Sequence, residues 1–151
     1  MSVISKHSSM VFYSDGADHY SQRVRMVLAE KGVAVDIINV EKGSLPEDLA
    51  DLNPYNSLPT LVDRELVLYE SMVMMEYLDE RFPHPQLMPA DPVMRARARL
   101  FLYSFEQDLF SHISDLESAN EELANKARKT VRDNLTQIVP IFSKQNYLLG
   151  D

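Results

Sequence analysis

Pro83-His84-Pro85 sets an imidazole between two residues whose rings hold the backbone at φ of about −65°. A histidine held in this way can be offered to a partner with little further loss of chain entropy. Taken alone, the same tripeptide also reads as a stiff spacer with a solvated histidine. Glu70-Ser71 stands where an apolar helical pattern begins. A hydroxyl beside the free N–H groups of a helix start makes a corner suited to a carboxylate, although Ser71 as a plain N-cap accounts for the same residues.

Other chemistry is excluded by residue type. The chain has no cysteine, which removes disulfides, thiolate metal sites and a cysteine nucleophile of its own. His7, His19 and His112 show no metal-ligand spacing with one another, and no metal or cofactor is expected. Fifteen Lys and Arg against twenty-three Asp and Glu give a net charge of −8, a sign that opposes direct nucleic-acid binding. Residues 1–82 hold seven basic and fourteen acidic side chains, and residues 83–151 hold eight and nine, so the first part carries nearly all of the excess. Arg95, Arg97 and Arg99 alternate along a helical pattern without sharing one narrow face, which suits solvated or interface charges better than a phosphate-binding stripe. Met72, Met74 and Met75 read as fillers of irregular core gaps.

The elements that must position these residues follow from periodicity. Met10 to Ser14 is a short apolar run ending at Asp15-Gly16, a buried strand and turn. Ser21 to Lys31 repeats at helical spacing, with Ser21 as N-cap and Gly32 as stop. Val33 to Val40 suits a second, parallel strand. Glu47 to Leu52 allows one or two helical turns before Asn53-Pro54. Thr60 to Asp63 and Leu66 to Tyr69, parted by Arg64-Glu65, make a hairpin. Ser71 to Phe82 is a helix with Met74, Leu78 and Phe82 on one face.

Four prolines within residues 83–92 forbid a continuous helix or central strand, so the domain boundary falls there. Beyond it, Val93 to about Glu117 and Glu121 to about Lys144 form a helical hairpin, with Pro140 kinking or shortening its second arm. The predicted organisation is an α/β domain over 1–82, a proline-rich linker over 83–92 and an incomplete all-α domain over 93–151. Two helices cover each other poorly, so the chain looks cut short. No stretch approaches the length of a membrane span and Met1 to Ser9 lacks a signal-peptide core, so a soluble cytoplasmic protein is expected.

The order β-α-β-α-β-β-α followed by helices resembles the glutathione transferase superfamily. So do Ser21-Gln22-Arg23-Val24-Arg25, Leu28-Ala29-Glu30-Lys31-Gly32, Leu52-Asn53-Pro54, Leu58-Pro59-Thr60-Leu61, Tyr69-Glu70-Ser71 and Tyr77-Leu78. Within it, Val27 to Gly32, Leu61 to Leu66 and Glu76 to Pro85 are similar to the stringent starvation protein A branch, whose bacterial members associate with RNA polymerase.

The resemblance implies a thioredoxin-like first domain, further helices after Asp151, and a homodimer built through the first helix of the second domain and its neighbour in the first. Apolar surface meant for the further helices would promote self-association. It implies a cis Leu58-Pro59 bond that lets the Leu58 backbone pair with bound glutathione, and Glu70 and Ser71 at the γ-glutamyl end of glutathione. It sets Asp18 at the activating position and Tyr13 within one residue of the phenol of tyrosine-type enzymes; Tyr13 as a core or rim residue is the alternative.

A carboxylate is the wrong group for making a thiolate. A unit charge about 4 Å away repels the forming anion by several kcal/mol even at an effective dielectric of about 20. The resemblance also implies that Pro83, His84 and Pro85 form a surface patch used with RNA polymerase. The expected function is therefore a regulator acting by protein contact without transferase catalysis. The alternative is a glutathione-binding module or transferase.

Overall fold

Met10–Asp15 (β1) alternates its side chains across a sheet, sending Met10 and Phe12 to one face and Val11 and Tyr13 to the other. The computed structural model describes residues 9–41 and 43–150, which divide into two compact units between Leu87 and Met88. His7 lies outside the described residues. In the first unit β1 is followed by His19–Lys31 (α1), Asp36–Val40 (β2), Leu49–Leu52 (α2), Thr60–Asp63 (β3), Leu66–Tyr69 (β4) and Ser71–Arg81 (α3). The strand order is β2-β1-β3-β4, with β2 parallel to β1 and the other neighbours antiparallel. This is the thioredoxin-like arrangement.

Met10, Phe12, Val24, Leu28, Leu61, Met74 and Leu78 form the main core between the sheet, α1 and α3. Complete burial of each large apolar side chain contributes about 1.5–3 kcal/mol. A smaller core on the other face gathers Tyr13, Val40 and Leu49, with Leu52 and Leu58 against it. Gly32 ends α1 at φ 60°, a left-handed conformation that glycine adopts without the Cβ penalty.

Three local expectations are corrected. The N-cap of α1 is Asp18, whose Oδ2 accepts from the Ser21 N–H at 2.9 Å. Ser21 lies inside the helix, and its hydroxyl accepts from the Asp15 N–H at 3.0 Å. β2 begins at Asp36 instead of Val33, because its pairing with β1 starts at Val11↔Asp36.

The helix expected over 93–117 is broken. Pro92–Asp108 (α4) is N-capped by Asp91 and gives way to a 3-10 turn, Phe110–His112, and Ile113–Leu116 (α5). Two carbonyls at the break are satisfied from outside the α-helical ladder. Asn134 Nδ2 donates to Asp108 O at 2.7 Å and Ser111 Oγ to Gln107 O at 2.6 Å.

Glu121–Phe142 (α6) is capped by Asn120, whose Oδ1 accepts from the Glu122 and Leu123 N–H groups. It ends two residues beyond Pro140. Ala124 and Ala127 are buried on it. Among the described residues no helix is long and apolar enough to cross a membrane.

Candidate functional site

Sheet register collects the candidate residues at one edge of the first unit. Tyr13 on β1 is opposite Thr60 on β3, and Thr60 is opposite Tyr69 on β4. Because both pairings are antiparallel, the end of β1, the start of β3 and the end of β4 share this edge. Asp18, Leu58-Pro59 and Glu70-Ser71 follow or precede those strand ends by a few residues.

The Leu58–Pro59 bond is cis. Buried Asn53 holds its loop, with Nδ2 donating to Ser57 O at 3.1 Å, Ser57 Oγ at 3.2 Å and Thr60 Oγ1 at 3.0 Å. Asn53 Oδ1 accepts from the Tyr55 N–H at 2.9 Å. An amide with both donor and acceptor capacity meets these demands where a carboxylate would not.

Glu70 occupies the N-cap position of α3 at φ 75° and makes no side-chain cap. That conformation is costly for a residue with a Cβ, and such strain clusters at ligand clamps. Ser71 is the first helical residue instead of the cap, and is buried. Its hydroxyl accepts from Arg23 Nε at 2.9 Å and Arg23 Nη2 at 2.5 Å. The Arg23 guanidinium also lies 4.7 Å from the ring centre of Tyr20. The corner therefore combines a cation, a hydroxyl and a helix start, all of which favour an anion.

Asp18 turns its carboxylate on its own helix. Besides the Ser21 cap, Oδ1 lies 3.6 Å from His19 Nδ1, and the Asp18 backbone carbonyl accepts from the Gln22 N–H at 3.0 Å. Tyr13 sits in the smaller core beside Leu58. Burial, and secondarily the negative charge of Asp48, raise its phenol above the ordinary value of 10.0, so the group holds its proton.

Arg25 braces the connection between β1 and α1, donating to Ser14 Oγ, to Asp15 O at 2.8 Å and to Gln22 Oε1 at 2.6 Å. Arg23, Arg25 and Asn53 fall within the superfamily motifs, but nothing in those motifs assigns them these partners. Their signal was polar type inside otherwise helical or apolar patterns, which does not name a distant partner.

Pro83, His84 and Pro85 are exposed, and the His84–Pro85 bond is cis. The segment belongs to the first unit, where Lys31 Nζ donates to Asp79 Oδ1, Phe82 O and Pro85 O. Lys31 ends the thirteen-residue α1 that Asp18 begins. At about 1.5 Å per residue, Lys31 and the α1 cap Asp18 are about 20 Å apart along that axis. Sequence reasoning missed Lys31 and Asp79. Among the described residues, no three His, Asp or Glu side chains gather in a metal-binding group.

The family model described as glutathione S-transferase, N-terminal domain, matches residues 19–81. A theta class glutathione S-transferase from Xanthomonas axonopodis pv. citri, solved with glutathione bound, superposes at a TM-score of 0.84 and 22% identity, covering 95% of this chain and 74% of that one. The Tau class enzyme of Mangifera indica superposes at 0.81 and 23% identity, over 97% and 69%. The fold is thus that of the glutathione transferases.

In sequence, the stringent starvation protein A homolog of Coxiella burnetii is 49% identical over 146 residues, covering 97% of this chain and 70% of that protein. The Haemophilus influenzae homolog is 45% identical over 150 residues, covering 99% and 71%. The chain belongs to the stringent starvation protein A family within the glutathione transferase superfamily.

Proposed function

We propose that this protein is a cytoplasmic regulator of the bacterial starvation response that acts by binding RNA polymerase, as a homodimer, without glutathione transferase catalysis. The observation that carries the reading is that Asp18, which the superfamily resemblance sets at the activating position, is committed to capping α1. Asp18 supplies neither a donor nor a positive field for a thiolate, and Tyr13, the other candidate, packs into the smaller core. The old catalytic frame then serves as a support for protein contact, with Pro83, His84 and Pro85 as the contact. The relatives' family name supports the starvation response.

The test is capture of RNA polymerase by the wild-type chain and by His84→Ala. Loss of capture in the variant supports the reading, and equal capture removes the tripeptide from it.

A second reading is a retained glutathione site made by Leu58, Pro59, Glu70 and Ser71. It is favoured by the cis bond and by Arg23 on Ser71. Calorimetry separates the two: micromolar glutathione binding with turnover of an electrophilic dye favours the enzyme, and silence at millimolar glutathione favours the regulator.

A further inference from the structure

We propose that Lys31 is the positioning residue of the docking segment, its buried ammonium fixing the backbone from which His84 projects. This rests on the reading of Pro83, His84 and Pro85 as the polymerase contact. An ammonium has three N–H donors and no acceptor. Lys31 has one acceptor for each: Asp79 Oδ1 at 2.5 Å, Phe82 O at 2.6 Å and Pro85 O. Its side chain is fully buried, and that of Asp79 is 9% exposed.

The two carbonyls bracket the tripeptide, one just before Pro83 and one at Pro85. Asp79 Oδ1 also accepts from the Leu87 N–H at 2.8 Å, securing the chain beyond it. Pro83 and Pro85 have no N–H of their own. The segment therefore has few donors with which to hold itself, and the carbonyls of Phe82 and Pro85 at its two ends accept from α1.

Energetics argue for placement over simple stability. Burying a lysine and an aspartate costs several kcal/mol in desolvation, and apolar residues of similar volume often serve stability as well or better. A buried pair that ties the end of α1 to Phe82 O and Pro85 O, and through Asp79 to the Leu87 N–H, instead specifies where the segment between them lies. The C-terminal end of α1 also favours the cation through the helix dipole. A free spacer would need none of these bonds. His84 is left exposed, between anchored neighbours.

The experiment measures RNA polymerase affinity for the wild-type chain, His84→Ala, Lys31→Met and the double variant, with Asp79→Asn taking the place of Lys31→Met if that variant does not fold. Each single variant is expected to weaken binding about tenfold, and the double by no more than about twofold beyond His84→Ala, because Lys31 acts through the segment His84 belongs to. A general loss of folded protein would instead multiply the two effects. Multiplied effects, or wild-type affinity in Lys31→Met, overturn the proposal.

Wild-type binding by His84→Ala defeats the docking reading itself. Amide exchange then judges the anchor independently. The Leu87 N–H is expected to exchange about tenfold faster in Asp79→Asn while Phe12 and Leu61 keep their protection. Unchanged protection at Leu87 overturns the anchor.

Discussion

Arg23 binds the hydroxyl of Ser71 through both Nε and Nη2, at 2.9 and 2.5 Å, and so fastens α1 to the first residue of α3. The two residues are 48 positions apart, and the bond lies beside the left-handed Glu70. It brings a permanent positive charge to the candidate anion corner.

Ser71→Ala removes the acceptor of both bonds. Arg23 is partly exposed, so water takes over some of the lost interaction, and the cost is about 1 kcal/mol. Urea denaturation should show a lower midpoint with an unchanged slope. Wild-type stability would mean that the bond contributes nothing in solution.

Asp18→Ala should cost about 1 kcal/mol through loss of the α1 cap, whereas Asp18→Ser, which keeps a capping oxygen, should stay within about 0.5 kcal/mol of wild type. The serine variant also removes the negative charge from the position that the superfamily resemblance assigns to thiol activation. Glutathione, whose thiol ionises near pH 8.5, should bind it more tightly than wild type at about pH 9. Equal calorimetric affinities would show that the carboxylate does not exclude the thiolate.

Asn53→Ala leaves Thr60, Ser57 and the Tyr55 N–H without their shared partner, at a loop whose tip is exposed but whose base at positions 53, 59 and 60 is buried. A loss of about 2 kcal/mol is expected, with the largest amide shifts confined to residues 53–60. Shifts spread evenly over the first unit would refute this local role.

High pH should weaken the first unit. Tyr77 donates to Asp63 Oδ2 at 2.7 Å, and that bond, then burial, then the Asp63 charge raise its phenol pKa against the opposing influence of Arg81. Tyr13 is raised as well, by burial first. The folded chain keeps protons that the unfolded chain releases above about pH 10, so this stabilisation is complete below pH 10 and declines as pH climbs through the folded values. Tyr77→Phe should make the decline shallower, as read from urea midpoints at about pH 8 and pH 10.5. An unchanged slope would refute the assignment.

The hairpin was legible residue by residue: Thr60–Asp63 and Leu66–Tyr69 stand where alternation and the Arg64-Glu65 break put them. Gly32 as the stop of α1 was equally legible, since a left-handed cap is a local demand. The start of α1 was not. Asp18 and Ser21 are both good capping residues, and the Asp15 N–H engages the Ser21 hydroxyl. Nor was the break after Asp108, which no glycine or proline marks; the freed carbonyl is met by Asn134, 26 residues away.

Periodicity, capping types and the proline-flanked histidine belong to neighbouring residues, so the chain by itself determined the order of elements and pointed to Glu70, Ser71 and His84, while Leu58 and Pro59 were picked out by the superfamily resemblance. Which face of β1 receives Tyr13, which hydroxyl receives Arg23, and that Lys31 reaches across 51 and 54 residues to Phe82 and Pro85 were decided only by packing. Those choices depend on which distant donors and acceptors are brought together once the apolar faces of α1 and α3 close on the sheet, and no local pattern encodes that meeting.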